Sequence, residues 1–264
     1  MTPVPAPYPG LEATLVGLMG LMIGSFMNVC IYRLPLGLSP VRPRSSCTTC
    51  GYMLTWYDNI PIASYLMLRG RCRGCGAPIS MMYPIIEGVT GLMFLGAYML
   101  FGPSPLLLAR LLFGCAMIVL FVIDLQHKIL PNVITLPGIV AGLLLSQVAG
   151  PGWQASLVGA AAGGGVLWGI AEIYYRVQAQ EGLGMGDVKM LAMIGAFLGW
   201  KGMLLALVLA SFSGTIVGVT VIVAKKESLK YALPFGTFLA AGAIVSAAAG
   251  EQILAWYLAG FPAL

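Results

Sequence analysis

Two aspartates stand where a charged side chain is costly unless it has a function. Asp124 ends one apolar run, and Asp187 begins another within the stretch Gly184-Met-Gly-Asp-Val-Lys189. Two carboxyl groups held close together cannot both ionise, so one can take a proton from water while the other donates to a peptide carbonyl. The glycines at Gly184 and Gly186 would let an extended substrate backbone approach. The pair therefore favours hydrolysis of a peptide bond.

Spacing alone leaves other interpretations open. Aspartates in transporters and channels relay protons or cations, and a non-catalytic membrane scaffold is a third possibility. Lys128 lies four residues after Asp124, at the spacing of an ion pair on one helix face, whereas Lys189 would not face Asp187 on a helix. The sequence gives little support to a serine or a zinc protease. It has no G-x-S-x-G stretch, and its single histidine, His127, cannot form an H-E-x-x-H motif.

Four of the six cysteines lie in the one long polar segment of the chain. Cys47 and Cys50 form one C-x-x-C pair, and Cys72 and Cys75 form a second pair after a gap of 21 residues. Each pair is followed by glycine, which lets a backbone turn around a metal ion. Four thiolates suit tetrahedral Zn²⁺ and leave no open position, so we predict a structural zinc site. Two disulfides or free thiols are the alternative, although a reducing cytoplasm disfavours disulfides.

The segments that must hold these residues are strongly apolar. Of 264 residues, 59% are hydrophobic and 9% are charged, whereas soluble domains have about 25% charged residues. Apolar runs of roughly 20 residues predict membrane spans at 11–32, 81–101, 105–124, 132–149, 154–175, 185–200, 202–224 and 233–258. The sixth span is unusually short, and the glycines and alanines of 159–165 predict a close helix contact in the fifth.

The predicted fold is an all-α polytopic membrane protein with about eight transmembrane helices and a small cytoplasmic zinc-knuckle loop. The first transmembrane helix lies within residues 1–33, and the zinc-binding loop occupies 34–80. Residues 81–264 then form a transmembrane helical core that carries the aspartate pair. Residues 1–10 contain no basic stretch, so no cleavable signal peptide is expected.

Basic residues predict the orientation in the membrane. With the N-terminus outside, twelve of the 14 lysines and arginines fall on the cytoplasmic side, and Arg110 and Lys201 fall outside. Both termini are then external, and Asp124, Asp187 and the cysteine segment all face the cytoplasm. The net charge of +5 is explained by this bias, so a nucleic-acid partner is not expected.

Taken together, the motifs resemble those of the bacterial type IV prepilin peptidases, bifunctional leader peptidase/N-methyltransferases of the G-x-G-D aspartic protease class. The resemblance covers most of the chain, including Gly24–Pro35, both C-x-x-C pairs, Asp58–Pro61, Tyr83–Glu87, Leu130-Pro131, Gly184–Lys189 and Pro234–Gly236. It implies that Asp124 and Asp187 are catalytic. It also implies that Cys47, Cys50, Cys72 and Cys75 bind zinc.

The activity that this resemblance implies is cleavage of prepilins and pseudopilins in the bacterial inner membrane. Such enzymes remove a short basic leader at the cytoplasmic face, after a glycine and ahead of a hydrophobic helix. They then methylate the new N-terminus with S-adenosylmethionine, in the service of type IV pili or type II secretion. The expected partners are therefore these substrates and the lipid bilayer.

Methyl transfer has no recognisable cofactor domain in this chain, since the only sizeable polar piece is residues 34–80. Asp58, Arg69 and Arg71 are polar candidates there, but surface or phospholipid-facing charge accounts for them as well, and we assign no methyl-transfer residue. Two threonines depart from the family pattern, in which proline is common. Thr48 is expected to leave metal binding intact, and Thr237 to loosen the start of the eighth span without touching either aspartate.

Overall fold

The computed structural model describes residues 9–178, 184–225 and 233–260, and most of them are helical. The helices are α1 (Pro9–Arg33), α2 (Ala63–Met67), α3 (Met82–Phe101), α4 (Pro105–His127), α5 (Asn132–Ala149), α6 (Trp153–Gln178), α7 (Met185–Lys225) and α8 (Phe235–Ala259). Seven helices of the described ranges, all but α2, are long and apolar enough to cross a membrane. The predicted all-α membrane fold is confirmed.

The predicted sixth and seventh spans are the two pieces of α7, which meet at Gly199. Helix α7 is 41 residues long and bends at Gly199, where φ of 69° and ψ of 178° are not helical. Glycine adopts a positive φ without steric cost. The piece before the bend is only about 20 Å long, short of the ~30 Å hydrocarbon layer. Asp187 lies at the start of this short piece.

Residues 108–264 form one compact unit in which α7 is the central helix. Helices α5, α6 and α8 all pack against it. Its first piece supplies the fully buried Met190, Leu191 and Ile194, which lie in one apolar core with Met117 of α4 and Leu239 of α8. This packing fixes the position of the residues at the start of α7.

Glycines bring α6 and α7 into backbone contact. A Cβ atom on Gly195 would lie 2.1 Å from the carbonyl oxygen of Gly159, and one on Gly163 would lie 2.7 Å from the carbonyl oxygen of Leu191. Two membrane helices can approach this closely only where side chains are absent. The close contact predicted from the glycines and alanines of 159–165 is confirmed.

A single methyl group at this contact is expected to destabilise the protein. Gly195→Ala should lower the free energy of unfolding by about 1–3 kcal/mol or more, because the added atom meets backbone that cannot rotate away. Thermal unfolding of the solubilised protein measures this effect. Gly165→Ala is the matched control, since a Cβ atom there has no neighbour within 4 Å. Equal unfolding temperatures for the two variants would contradict the prediction.

Residues 1–107 form the other compact unit, described here from residue 9, and it is built on the pairing of α1 with α3. A Cβ atom on Gly24 would lie 2.8 Å from the Cα atom of Glu87, so these helices also meet backbone to backbone. The buried carboxylate of Glu87 accepts a hydrogen bond of 2.8 Å from the N–H of Ile62. This bond anchors the polar segment before α3 to a membrane helix of the same unit.

Candidate active site and metal centre

Asp124 lies in the last turn of α4, on the face that packs into the core, and is only 4% exposed. Its Oδ2 atom accepts two hydrogen bonds from one residue. The backbone N–H of Thr237 donates at 2.6 Å, and the Thr237 hydroxyl donates at 3.0 Å. Both groups are buried, so this carboxylate is held in place by direct contacts and not by solvent.

The expectation that Thr237 would not touch the aspartates is wrong. Thr237 is the third residue of α8, and the N–H groups of a first helical turn have no acceptor within their own helix. Gly236 allows the approach, because a Cβ atom there would lie 3.0 Å from Asp124 Oδ2. The contact joins α4 to α8 across a long stretch of sequence, and only the Pro234-Phe-Gly236 motif before it gave any signal.

Asp187 lies in the first turn of α7 and is half-buried. Its carboxyl group and that of Asp124 interact electrostatically. The side chain of Leu130 lies between the start of α7 and the start of α8. A Cβ atom added to Gly186 of α7 would lie 3.0 Å from this side chain, and one added to Gly236 of α8 would lie 2.9 Å from it. The structure therefore places the two predicted aspartates and Gly186 in one neighbourhood.

The remaining predicted glycine, Gly184, is exposed just before α7, and a Cβ atom there would lie 3.5 Å from Asp187 Oδ2. A side chain at Gly184 would stand next to the carboxylate and narrow the approach to it.

The nearby basic residues differ in their relation to the aspartates. Lys189 donates from Nζ to Asn132 Oδ1 at 2.9 Å, in keeping with the prediction that it does not face Asp187. Lys128 acts electrostatically on Asp124, but the hydrogen bonds to that carboxylate come from Thr237. His127 is exposed at the end of α4.

The four cysteines of the polar segment converge. All four Sγ atoms lie within 4.8 Å of one another, and the Cys47–Cys75 and Cys50–Cys72 pairs are each 4.0 Å apart. A disulfide would need about 2.05 Å, and the cysteines are free thiols. Tetrahedral zinc with Zn–S bonds of about 2.3 Å separates its sulfurs by about 3.8 Å. The cluster can hold a metal ion, and its donor set fits zinc.

The two C-x-x-C pairs form turns of the same geometry. In each turn the N–H of the first cysteine, Cys47 or Cys72, donates to a carbonyl five residues later. The glycine after each pair donates back to the carbonyl of that first cysteine at 2.9 Å. Gly51 and Gly76 both have a φ of 72°, which only glycine adopts readily. The backbone turn predicted at each of these two glycines is confirmed.

Asp58 supports the segment that carries the cysteine cluster. Its Oδ1 atom accepts hydrogen bonds of 2.9 Å from two nitrogens of Arg73, the residue that follows Cys72. Its Oδ2 atom accepts from the hydroxyl of Thr55 at 2.6 Å. Burial alone would raise the pKa of Asp58, but Thr55 and Arg73 outweigh it and hold that pKa below its usual value. Both oxygens of the Asp58 carboxylate thus accept hydrogen bonds from side chains of the protein.

Removing the charge of Asp58 is expected to lower the free energy of unfolding at neutral pH. The pKa of Asp58 is lower in the folded protein than in the unfolded chain. Its charge therefore contributes fully to the free energy of unfolding above the unfolded pKa of about 4, and this contribution is lost as pH falls through the folded pKa. Asp58→Asn should cost on the order of 1 kcal/mol at pH 7, since the Arg73 side chain is 45% exposed and water screens the pair.

Thermal unfolding at several pH values measures this difference, which should shrink towards zero in acid. The matched control is Glu172→Gln, which breaks an exposed helical pair with Arg176 and should have a smaller effect. A loss of stability for Asp58→Asn that does not change with pH would show that the charge is not responsible.

Comparisons with known proteins bear on both compact units. Residues 18–101 match the family "Bacterial Peptidase A24 N-terminal domain", and residues 111–219 match the "Type IV leader peptidase family". The first match contains all four clustered cysteines, and the second contains Asp124 and Asp187. No solved structure matches the chain.

Three relatives named prepilin leader peptidase/N-methyltransferase illustrate the similarity. The protein of Aeromonas hydrophila is 37% identical over 278 residues, which cover 96% of each chain. That of Klebsiella pneumoniae is 42% identical, with 78% of this chain and 93% of the relative covered. That of Myxococcus xanthus is 42% identical over 84% of this chain and 66% of its own. The chain described here belongs to the prepilin leader peptidase/N-methyltransferase family.

Proposed function

We propose that this chain is a membrane-embedded aspartic endopeptidase that removes the leader peptide of prepilins or pseudopilins. Asp124 and Asp187 are its catalytic pair. The observation that carries the proposal is geometric: Gly236 lies against the Asp124 carboxylate at the end of α4, and Leu130 lies beside both Gly236 and Gly186, the residue before Asp187 at the start of α7. The substrate class comes from the family to which the chain belongs.

The chemistry follows from the closeness of the two carboxyl groups. Side by side they cannot both ionise, so the pair shares one proton at neutral pH. The ionised member takes a proton from water, whose oxygen attacks the peptide carbonyl. The protonated member donates to the carbonyl oxygen, and the C–N bond breaks once the nitrogen has gained a proton. Both carboxyl groups are then ready for another cycle.

Water and substrate must both reach this pair. Asp187 is half-buried and is preceded by the exposed Gly184 and by Gly186, neither of which has a side chain to narrow the approach. An extended peptide backbone fits such an opening better than a helix does. A glycine before the cleavage site of the substrate makes local unwinding of its helix easy, since glycine is a poor helix former.

The chain is a multi-pass membrane protein, and we place the catalytic pair and the cysteine cluster at the cytoplasmic face of the bacterial inner membrane. The support is the strong bias of lysine and arginine to one side. Two residues of that count, Lys226 and Lys230, lie outside the described residues. Both termini are then external, and a basic leader would lie in the compartment where cleavage occurs.

The metal that best fits the four thiolates is zinc, and its role is structural. Cys47, Cys50, Cys72 and Cys75 would fill all four positions of a tetrahedral ion, so none remains for substrate. When bound, the ion supplies folding energy to a segment too small for a conventional core. S-adenosylmethionine is the proposed methyl donor for the N-methyltransferase activity, and its binding residues are not assigned.

One experiment tests the proposal directly. Purified protein in lipid nanodiscs is incubated with a prepilin, and the product is weighed by mass spectrometry. Loss of the leader is the expected result, with a further gain of one methyl group on the new N-terminus when S-adenosylmethionine is present. An intact prepilin, together with proton or cation flux in proteoliposomes, would replace this proposal with an ion relay.

A further inference from the structure

The two aspartates have different surroundings. Asp124 Oδ2 receives both donors of Thr237, the N–H at 2.6 Å and the hydroxyl at 3.0 Å. Within residues 9–178, 184–225 and 233–260, no donor makes a comparable hydrogen bond to the Asp187 carboxylate. Hydrogen bonds to the charged form of a carboxyl group favour that form. The contacts therefore favour charge on Asp124 over charge on Asp187.

The start of α8 adds to this preference. Asp124 accepts from the third N–H of α8, as a capping side chain does, although it belongs to another helix. Pro234, at the capping position of α8 itself, makes no side-chain hydrogen bond to the helix. The partial positive charge at a helix N-terminus favours a nearby anion. Asp124 thus fills a place where an ionised carboxylate is stabilised.

Charged groups on the helices packed around the pair also act on Asp124. Lys128, at the end of α4, also acts favourably on the Asp124 charge. Asp187 of α7 opposes it, and Lys189 of α7 is bonded to Asn132 of α5. The first turn of α8 has no acidic residue. Among the described residues, Thr237 donates two direct hydrogen bonds to the Asp124 carboxylate.

We propose that Thr237 is a positioning residue that keeps Asp124 ionised and so assigns the roles within the pair. Asp124 takes the proton from the attacking water, and Asp187 donates to the peptide carbonyl oxygen. This inference rests on the proposed function, because it assigns separate roles to two aspartates whose catalytic activity is itself proposed.

The proton movements balance over the cycle. In the first step, the water oxygen bonds to the carbonyl carbon, one water proton moves to Asp124, and the Asp187 proton moves to the carbonyl oxygen. In the second step, Asp124 gives its proton to the amide nitrogen as the C–N bond breaks. Asp187 then regains a proton from a hydroxyl of the tetrahedral intermediate. Both groups finish as they began.

The test is the pH dependence of kcat/KM for leader cleavage in a series at position 237. Thr237→Ser keeps both donors and should match the unchanged protein. Thr237→Val removes the hydroxyl, so Asp124 ionises only at higher pH. Losing one hydrogen bond to a charged group should move the acidic limb of the profile upwards by about one pH unit, a loss of about 10-fold in rate on that limb.

Thr237→Pro removes the hydroxyl and the N–H together and should move the limb further than Thr237→Val. Proline is sterically acceptable in the first turn of a helix, where no N–H is needed for the helix itself. The matched control is Thr220→Val. Thr220 is exposed on α7, and its hydroxyl bonds to a carbonyl of its own helix at 2.7 Å.

Two results would overturn the inference. The acidic limb could stay in place in the valine and proline variants, or both could lose activity equally at every pH, which is the effect of packing alone. If the proline variant does not fold, the comparison of valine with serine decides. Full cleavage by Asp124→Asn would instead refute the proposed function, whereas an inactive Asp124→Asn with an unmoved limb would refute only the role of Thr237.

Discussion

Leader cleavage is expected to fall by roughly 10²- to 10⁴-fold or more when asparagine replaces either Asp124 or Asp187. An amide has nearly the shape of a carboxyl group but can neither take a proton from water nor supply one to the carbonyl oxygen. The fold should survive, because the asparagine oxygen at position 124 can still accept the N–H of Thr237. The double variant should lose little beyond either single one, since residues that act as a unit are not additive.

Mass spectrometry of a prepilin incubated with each variant in lipid nanodiscs measures this loss. Membrane insertion and unfolding temperature must be unchanged for the comparison to be valid. Glu172→Gln serves as the control, since Glu172 lies in a membrane helix but pairs with Arg176 on an exposed surface. Normal cleavage by either aspartate variant would show that the catalytic pair has been wrongly identified.

Loss of bound zinc is the second large effect that we expect. The unchanged protein should contain about one zinc ion per chain, and Cys47→Ala or Cys72→Ala should reduce this towards zero. The remaining three thiolates would no longer close the tetrahedral site. The two C-x-x-C turns would then lose the ion between their sulfur atoms, and the yield and unfolding temperature should both fall.

Elemental analysis and thermal unfolding measure the two parts of this effect. Cys30→Ala is the matched control, because Cys30 is a free cysteine of the same compact unit that lies in α1, away from the cluster. Metal-free protein of unchanged stability would contradict a structural role for the four cysteines. Zinc that remains bound in the Cys72 variant would contradict the assignment of the ligands.

Much of the fold follows from short-range features of the sequence. Each membrane helix is an apolar run whose length matches the hydrocarbon layer, so its position depends on neighbours along the chain and not on distant contacts. The C-x-x-C-G turns are equally local, because their hydrogen bonds close within a few residues. The same reasoning applies to the glycines of α6, which predict a close helix contact without identifying the partner helix.

The limits of local reasoning appear in the bend of α7 and in Asp58. The sequence predicts a break between the sixth and seventh spans, and the structure has it at Gly199, but the non-helical dihedral angles of that glycine cannot be read from the sequence. For Asp58 the sequence leaves surface charge and a polar site residue open, and the structure shows its carboxylate bonded to Arg73 and Thr55. Neither arrangement has a sequence periodicity, because each depends on how one segment packs against another.

The sequence by itself determined that this is a helical membrane protein with a four-thiolate cluster and two aspartates at helix ends. Those properties reside in composition, in segment length and in spacings of a few residues. The tertiary structure alone decided which group holds Asp124. Thr237 meets that carboxylate because α8 begins beside the end of α4, and a contact between residues so far apart in the chain depends on the packing of whole helices.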